Sequence, residues 1–343
     1  MAGLHTPEPM SEMKPKLVIA GANGFLGRAL SRHFLESGWE VVGLVRPGRP
    51  VAEGCRRVEW DARVLGGWAE ALEGAEVLVN LVGRSVNCRY HAAHRAEILE
   101  SRVESTRILG DAIALAARPP ALWINSSTAT IYRHAEDRAQ DEVSGELGTG
   151  FSVEVATEWE KAFFRARVPG CVRKVAIRSA LVMARERGTV FDHFWKLARC
   201  GLGGAMAGGA QQVSWIHVED FCRALAWIVD DDDLQGVVNV AAPRAVTNRE
   251  MMREFRTRTG MPLGLAPARW MLELGAALLG SESELVLKSR WVVPTRLLQH
   301  GFRFRWPGFQ AALEDLAPRS LLPIRQPERL RRDPLAKKSL LPK

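Results

Sequence analysis

The sequence predicts an α/β protein, a doubly wound parallel sheet followed by a smaller, mainly helical C-terminal lobe. Short apolar runs alternate with longer segments of helical periodicity over roughly the first half of the chain, and this alternation is typical of repeated β–α–β units. From Thr247 onward the strand-like runs cease, and prolines separate segments of helical character. Together the two patterns predict a sheet with helices on both faces and a second lobe across its C-terminal edge.

The elements follow one another in a regular order. A buried strand from Lys16 to Ala20 ends in a cluster of glycines, and the helix after it closes at Gly38. Further elements are predicted as strands at 40–45, 57–60, 77–82, 121–125, 172–177, 213–218 and 237–240, and as long helices at 91–117 and 152–167. A glycine-rich stretch at 201–209 predicts a loop.

The glycine cluster after the first strand reads Gly21-Ala-Asn-Gly24-Phe-Leu-Gly27. Gly21 allows a tight turn, Gly24 lets the backbone approach a pyrophosphate, and Gly27 lets the helix pack closely on the sheet. The alternative is a tight structural turn with no ligand. Because a strand precedes the loop and a helix follows it, we predict a Rossmann dinucleotide site. The same loop adds Asn23, Phe25 and Leu26 to the predicted cofactor contacts.

The end of the second strand carries arginines where an acid would favour NAD. An acid there binds the ribose 2′-hydroxyl, whereas this chain has Arg46 and Arg49 and no acid before Glu53. A guanidinium can bind a 2′-phosphate through two hydrogen bonds. We therefore predict NADP(H) as the cofactor, the alternative being that both arginines are simply solvated.

Composition and charge exclude several classes of function. The chain has 47% hydrophobic and 25% charged residues, which is ordinary for a globular protein. It has no apolar run long enough to span a membrane and no signal-peptide pattern, so we expect a cytoplasmic protein. Five cysteines without a CxxC pair, and no third ligand beside His91 and His94, argue against a metal site.

The net charge of +8 belongs mainly to the last 25 residues. Between Arg319 and Lys343 there are eight Lys or Arg residues, two acids and four prolines. Such a segment is expected to be a disordered, solvated arm. Because the rest of the chain shows no basic face, we expect no nucleic-acid partner.

Several segments beyond the glycine loop resemble the extended short-chain dehydrogenase/reductases. They are Asp61, Asn80–Gly83, Asn125–Tyr132, Ile177–Ser179 and Trp215–Asp220. The resemblance implies that Asp61 contacts the adenine, that Leu81 and Gly83 lie beside the cofactor, and that Arg178 lies near the nicotinamide. It also implies that the fifth strand ends in the active-site hydroxyl, Thr128 with Ser127 next to it.

A narrower likeness covers Lys16 to Leu316. Motifs in order and at similar spacing resemble the atypical group called epimerase family proteins, which carries a C-terminal domain of unknown function. The motifs are Ser101-Arg102, Glu158-Trp-Glu160, Gly201–Gly204, Trp215–His217 and Gly301–Phe304. This likeness implies the fold and leaves the substrate open.

The catalytic pair of the standard superfamily, Tyr-x-x-x-Lys, is missing from the helix that should carry it. That lysine lowers the phenol pKa so that tyrosine can exchange a proton with the substrate. One alignment puts Val155 and Trp159 at the two positions, and a shift of one residue puts Glu154 and Glu158 there. Neither restores the pair. Thr128, Ser127 and either Glu158 or Glu160 are the remaining candidates for the catalytic groups.

Two functions from different classes fit these observations. The first is an NADP(H)-dependent oxidoreductase or epimerase with replaced acid/base groups, acting on a small polar or sugar-like substrate, with Gln211, Trp215 and His217 as candidate substrate contacts. The second is a catalytically silent regulator that senses NADP(H). Family resemblance also implies a homodimer through the two long helices.

We therefore expect four regions along the chain. They are a disordered N-terminus at 1–15, an NADP-binding Rossmann domain at 16–180 completed by parts of 213–245, a substrate lobe at 181–317 that is largely helical from 247, and a basic disordered tail at 318–343.

Overall fold

A computed structural model of the chain describes residues 14–266 and 288–317. The strands are β1 (Lys16–Ala20), β2 (Glu40–Val45), β3 (Arg56–Glu59), β4 (Val77–Asn80), β5 (Leu122–Thr128), β6 (Arg173–Ser179), β7 (Leu181–Met183), β8 (Gln212–Val213), β9 (Trp215–His217), β10 (Gly236–Val240) and β11 (Val246–Thr247). The helices are α1 (Phe25–Glu36), α2 (Ala92–Leu115), α3 (Phe151–Arg165), α4 (Val190–Arg199), α5 (Val218–Asp230), α6 (Asn248–Thr259), α7 (Thr295–Gln299) and α8 (Phe309–Leu316).

Seven parallel strands form the main sheet, in the order β10-β6-β5-β4-β1-β2-β3. The chain runs outward from β1 to β3 on one side and from β4 to β10 on the other, so the order reverses between β1 and β4. The predicted doubly wound Rossmann sheet is therefore confirmed. In such sheets a ligand binds outside the carboxyl ends of the strands at this switch point.

Side chains of each strand alternate between two cores, one on each face of the sheet. In β1, Leu17 and Ile19 enter the core that α1 and α5 cover, while Val18 and Ala20 enter the core that holds Trp123 and Phe163. Burial on both faces explains why these strands read as continuous apolar runs in the sequence.

The α1-side core, which we define as the cluster around Leu17, Phe34 and Phe221, also receives residues from late in the chain. Leu297 on α7 is fully buried in it, and Phe302 is 4% exposed there. The sequence assigned all of 297–302 to the substrate lobe. The structure instead makes this stretch part of the sheet domain, because α7 and the residues after it pack beside β10.

The second lobe has its own core and two small sheets. β7 pairs with β9 in parallel, β8 pairs with β11 antiparallel, and α4, α6 and α8 pack over them. The core is rich in aromatic residues and methionine, with Trp195, Trp215, Met251 and Phe255 buried together. The predicted helical character from 247 onward holds for α6, α7 and α8. Residues 267–287, which include the whole apolar stretch 270–280, lie outside the described part of the chain.

The long helices α2 and α3, expected to mediate dimerisation, pack against each other within the chain. Self-association through their outer faces stays a prediction. Over residues 14–266 and 288–317, no helix is both long and apolar enough to cross a membrane, and no three His, Cys, Asp or Glu side chains group as a metal site requires. The predicted disordered tail at 318–343, and all but the last two residues of the predicted N-terminal segment, lie outside these ranges.

Candidate functional site

The turn after β1 is the tightest part of the candidate site. Gly21 has φ of +83°, which only glycine adopts without strain, and its N–H donates to the carbonyl of Leu44 at 3.0 Å. A Cβ at Gly21 would lie 3.2 Å from the backbone of Leu81, just after β4. Gly21 and Leu81 therefore line the two sides of the switch point.

The other two glycines of the loop have different surroundings. A Cβ on Gly27 would lie 2.5 Å from the carbonyl oxygen of Gly21 and 2.7 Å from the Cα of Ala22, so no side chain fits between α1 and the turn. A Cβ on Gly24 would meet only the Gly21 oxygen, at 3.3 Å. Space is thus available in front of Gly24, where a pyrophosphate would lie.

The N-terminus of α1 is free to bind an anion. Gly24 occupies the cap position and offers no side chain to the first-turn N–H groups, and the first turn of α1 has no acid. Free N–H groups and the helix dipole both favour a phosphate there. Phe25 and Leu26 form this first turn, and the carbonyl of Asn23 is held by Arg28. These residues fit the pyrophosphate of a dinucleotide.

Arg46 and Arg49 follow β2 on an exposed turn, closed by the N–H of Arg49 donating to the carbonyl of Arg46 at 3.1 Å. Neither guanidinium has an ion pair or hydrogen bond to the described residues. Asp61, beyond β3, accepts the N–H groups of Arg63 and Val64 with Oδ1 at 2.9 and 3.0 Å. These bonds lower the pKa of Asp61 and leave its second oxygen for a ligand.

A buried charged group lies at the carboxyl ends of β5 and β6. Arg178 and Glu160 are both 8% exposed, and the guanidinium binds the carboxylate through two bonds, Nε–Oε1 at 2.8 Å and Nη2–Oε2 at 2.7 Å. Ser127 donates its hydroxyl to Oε1 of the same carboxylate at 2.6 Å. Arg178 also lies over the ring of Tyr132, at 4.9 Å. We call Ser127, Glu160, Arg178 and Tyr132 the buried quartet.

The quartet changes the interpretation of two predicted residues. Arg178 was predicted to lie near the nicotinamide, but two of its three guanidinium nitrogens donate hydrogen bonds to Glu160. Burial opposes its charge, but the hydrogen bonds to that carboxylate outweigh burial and raise its pKa. Ser127 is held by Glu160 as well. The sequence named Glu160 only as an alternative acid/base group and missed this connection.

Glu158 and Thr128 do not join this group. Glu158 lies on the exposed face of α3 and pairs with Lys161 at 2.7 Å, so the structure does not bring it to Ser127 or Thr128. Thr128 caps a short helical turn by accepting the N–H of Thr130 at 3.1 Å, and it donates its hydroxyl to Oγ1 of that residue at 2.9 Å. Thr128 remains at the carboxyl edge of the sheet and half-buried.

The positions aligned with the missing catalytic pair are buried and packed. Val155 is 6% exposed and Trp159 is 5% exposed. The indole N–H of Trp159 donates to Thr106 Oγ1 at 3.0 Å, and Asn80 and Asn125 complete the hydrogen bonding around that hydroxyl. Trp159 thus joins α3 to α2.

The three predicted substrate contacts stabilise the second lobe instead. Trp215 is fully buried and donates its indole N–H to the carbonyl of Arg244 at 3.0 Å. Gln211 is 4% exposed and donates to the carbonyl of Met206 at 3.0 Å. Neither side chain therefore reaches an open surface. A substrate contact by these residues is not what the structure supports.

His217 has a positioning role. Its Nδ1 accepts the N–H of Glu219 at 3.1 Å and so caps α5, while its ring stacks on Trp306 at 3.7 Å. Nε2 lies 3.3 Å from a carboxylate oxygen of Asp315 on α8. Burial lowers the pKa of this histidine. These contacts hold the ring of His217, which the sequence named as a candidate substrate contact, between α5 and the segment that carries Trp306 and Asp315.

The loop after β4 is held to α2 by the motif Ser101-Arg102. Ser101 Oγ accepts the N–H of Arg84 at 3.0 Å, and Arg102 Nη1 donates to the carbonyl of Arg84 at 3.1 Å. Gly83, predicted beside the cofactor, is exposed in this loop. The sequence used Ser101-Arg102 only as a family marker and gave Arg102 no role in the site.

Comparison with known proteins agrees with this geometry. Residues 17–152 match the NAD dependent epimerase/dehydratase family, and residues 268–316 match a domain of unknown function, DUF1731. The protein named epimerase family protein SDR39U1 from Bos taurus is 32% identical over 307 residues, covering 88% of this chain and 99% of the relative.

Two solved structures align with 88% and 89% of this chain. Human epimerase family protein SDR39U1, crystallised with NADPH, has a TM-score of 0.78 at 30% identity and covers 88% of this chain and 99% of that chain. A nucleoside-diphosphate sugar epimerase from Corynebacterium glutamicum has a TM-score of 0.71 at 27% identity and covers 89% of this chain and 58% of that chain.

Proposed function

This chain belongs to the epimerase family proteins, extended short-chain dehydrogenase/reductases that bind NAD(P), and on that basis we propose that it is an NADP(H)-dependent oxidoreductase or epimerase for a small polar or sugar-like substrate. Bound NADP(H) would accept or deliver a hydride. The acid/base step would use a group other than a tyrosine–lysine pair.

The end of β2 carries the proposal for NADP(H). Arg46 and Arg49 are exposed, have no acidic partner among the described residues and are followed by no acid before Glu53. A guanidinium left free in this way matches the doubly charged 2′-phosphate. The NADPH in the human relative supports the same choice.

A second lobe with its own core supports chemistry over simple binding. β7 begins two residues after the carboxyl end of β6 and pairs with β9, so the lobe joins the sheet domain at the carboxyl edge, where a substrate would meet the cofactor. The name of the Corynebacterium glutamicum relative, a nucleoside-diphosphate sugar epimerase, supports a sugar-like substrate.

One observation favours the alternative, a cofactor-binding regulator without chemistry. Glu160 accepts three hydrogen bonds from Ser127 and Arg178, so this carboxylate is already occupied. Val155 and Trp159 cannot exchange a proton. A regulator would need only the phosphate loop and a 2′-phosphate site, for which Arg46 and Arg49 are the candidate residues.

Deuterium transfer separates the two functions. The protein is first titrated with NADPH and NADH by calorimetry, and then incubated with a metabolite extract and NADPH deuterated at C4 of the nicotinamide. An enzyme that reduces its substrate puts deuterium into a metabolite in a protein-dependent manner, detected by mass spectrometry. Because an epimerase returns the hydride that it removes, the extract is also incubated with the protein and NADP⁺ and searched for NADPH formation and for a new stereoisomer. Tight cofactor binding with no deuterium transfer, no NADPH formation and no new stereoisomer would establish the regulator. Failure to bind either cofactor would overturn both functions.

A further inference from the structure

Arg102 is held in a fixed orientation next to the loop that follows β4. Its Nη1 donates to the carbonyls of Arg84 and Ile98 at 3.1 and 2.9 Å. Its Cζ lies 5.2 Å from the ring centre of Trp159. A Cβ built on Gly83 would lie 3.0 Å from Cζ, 3.1 Å from Nη2 and 3.3 Å from Nε. Since Cζ is the nearest of the three atoms, the glycine backbone lies over the plane of the guanidinium.

The opposite edge of this guanidinium has no partner. Neither Nε nor Nη2 of Arg102 donates a hydrogen bond to the described residues, and the side chain forms no ion pair with them. This edge of the Arg102 guanidinium is also not completely buried. Buried, unpartnered polar atoms in the described part of the chain include Nε of Arg84 and of Arg258, but no atom of Arg102.

The surroundings leave the charge of Arg102 without compensation. Burial lowers its pKa to about 10, and the phenol of Tyr90 is the one described group whose charge would oppose this. No carboxylate of residues 14–266 or 288–317 acts on it, and the group stays a cation at neutral pH. A partly desolvated cation with two parallel N–H donors binds an anion strongly, because each hydrogen bond is charge-assisted.

The position of Arg102 relates it to the reacting end of the site. Trp159, beside its guanidinium, stands where one alignment places the lysine of the standard pair. Gly83 is exposed at the carboxyl edge of the sheet, next to the switch point. A positive charge is therefore present near the missing lysine, although it comes from α2 instead of α3.

We propose that Arg102 binds the carboxylate of the substrate through Nε and Nη2, and hence that the substrate of the proposed reaction is an organic acid. Two coplanar oxygens match the fork of one guanidinium. The cofactor's pyrophosphate has its own donors across the switch point, at the N-terminus of α1. This inference rests on the proposed function, because the organic acid would bind beside the nicotinamide.

Arg173 provides a matched control. It donates Nη1 to the carbonyl of Leu234 at 2.6 Å and Nη2 to those of Ile228 and Val229 at 2.9 and 3.3 Å. Burial lowers its pKa too. It lies at the amino end of β6, far from the carboxyl edge. A role limited to clamping backbone would make Arg102 and Arg173 behave alike.

The test uses the full chain saturated with NADPH and potassium pyruvate as the probe, at constant ionic strength. The Arg102 Nε–H resonance, assigned by its loss in Arg102→Lys, should shift in a saturable manner with pyruvate and not with its uncharged methyl ester. Arg102→Gln should weaken pyruvate binding at least ten-fold, while NADPH affinity changes less than three-fold. Arg173→Gln should leave both affinities unchanged and only lower stability.

Each other outcome has a distinct meaning. Pyruvate binding equal to wild type in Arg102→Gln, or no shift with pyruvate in the NADPH-bound wild type, overturns the inference and leaves Arg102 as a loop clamp. A ten-fold loss of NADPH affinity in Arg102→Gln would assign Nε and Nη2 of Arg102 to a phosphate of the cofactor. That outcome would also overturn the inference. Absence of NADPH binding in the wild type would be a failure of the proposed function instead.

Discussion

The two ends of the carboxyl edge of the sheet use polar groups in opposite ways. At the phosphate loop, the N–H groups of the first turn of α1 and the guanidinium groups of Arg46 and Arg49 have no partner among the described residues. At the ends of β5 and β6, Ser127, Glu160 and Arg178 bind one another. The polar groups at the phosphate loop are available to a ligand, whereas the charged groups at the ends of β5 and β6 bind one another and stabilise the fold.

The difference would allow cofactor binding to persist even where the usual catalytic pair is replaced, as the sequence predicts for this chain. Groups without partners in the protein gain most from a ligand, whereas a buried ion pair must first be broken. Variants that weaken one end should therefore leave the other intact. The predictions below test this separation, from the largest expected effect to the smallest.

Glu160→Gln should have the largest effect, and on stability. It leaves the buried guanidinium of Arg178 without a counter-charge, and breaking such a pair costs about 3–5 kcal/mol. Glu158→Gln, two residues away on the exposed face of α3, should cost less than about 0.5 kcal/mol. Urea unfolding measures both. An equal loss of unfolding free energy in both variants would show that the buried quartet contributes no more to stability than the exposed pair of Glu158 and Lys161.

Gly24→Val should come next, and on cofactor affinity. A branched side chain would fill the space in front of the loop, and we expect NADPH to bind at least about 100-fold more weakly, about 2.7 kcal/mol. The fold should persist because a Cβ meets only one atom within 4 Å. Gly27→Ala should instead lose stability, since its Cβ would lie 2.5 Å from the Gly21 oxygen.

A control for both glycines is Gly170→Val, where a Cβ would meet nothing within 4 Å. It should change neither stability nor affinity. Circular dichroism and calorimetry decide the outcome. A folded Gly24→Val protein that binds NADPH normally would mean that the phosphates lie elsewhere.

Arg46→Glu should have a smaller effect, on cofactor choice. Wild type should bind NADPH at least about ten-fold more tightly than NADH, about 1.4 kcal/mol. A glutamate repels the 2′-phosphate and can accept from the ribose hydroxyls of NADH, so the preference should narrow or invert. Arg199→Glu, exposed at the end of α4, should change neither affinity. Equal binding of both cofactors by the wild type would contradict the assignment.

His217 extends the comparison, because it too is committed to the fold, and its effect should be the smallest. Burial depresses its pKa from the ordinary value of 6.5. A folded-state pKa below the unfolded one means that protonation favours unfolding. Stability should be full above pH 6.5 and fall as the pH drops below it.

The contribution of His217 is isolated by comparing variants at two pH values. His217→Gln should lose part of the fall in stability between pH 8 and pH 5 (roughly, the range over which histidine titrates). His193→Gln, on an exposed position of α4, should keep the whole fall. The same pH dependence in all three proteins would place the titrating group elsewhere.

Local patterns in the sequence predicted the end of the site that holds the phosphate loop. The strand, the three glycines and the helix that form the phosphate loop are consecutive, so their spacing alone predicts the turn at Gly21 and the close packing at Gly27. The arginines after β2 follow directly from the end of a strand. The alternation of apolar runs and helices likewise predicted the sheet.

The buried quartet at the ends of β5 and β6 could not be predicted in the same way, because its residues come from distant segments of the chain. Ser127 and Glu160 are 33 residues apart, and Arg178 follows 18 residues later. One signal was available, though. Val153, Ala156, Glu160 and Phe163 fall on one buried stripe of α3, and Glu158 does not, so helical periodicity alone favours the glutamate that the structure buries. The Trp215 prediction failed because tryptophan serves equally well as core and as a ligand platform.

The return of the C-terminal segment to the sheet has a consequence for how the protein is made. Leu297 and Phe302 are part of the α1-side core, so the nucleotide-binding half cannot close while those residues remain inside the ribosome. The glycine loop is synthesised long before Leu297 and Phe302, which complete the core that supports it. We therefore expect a folding step that involves both lobes, with the early strands exposed to chaperones until Phe302 has left the ribosome.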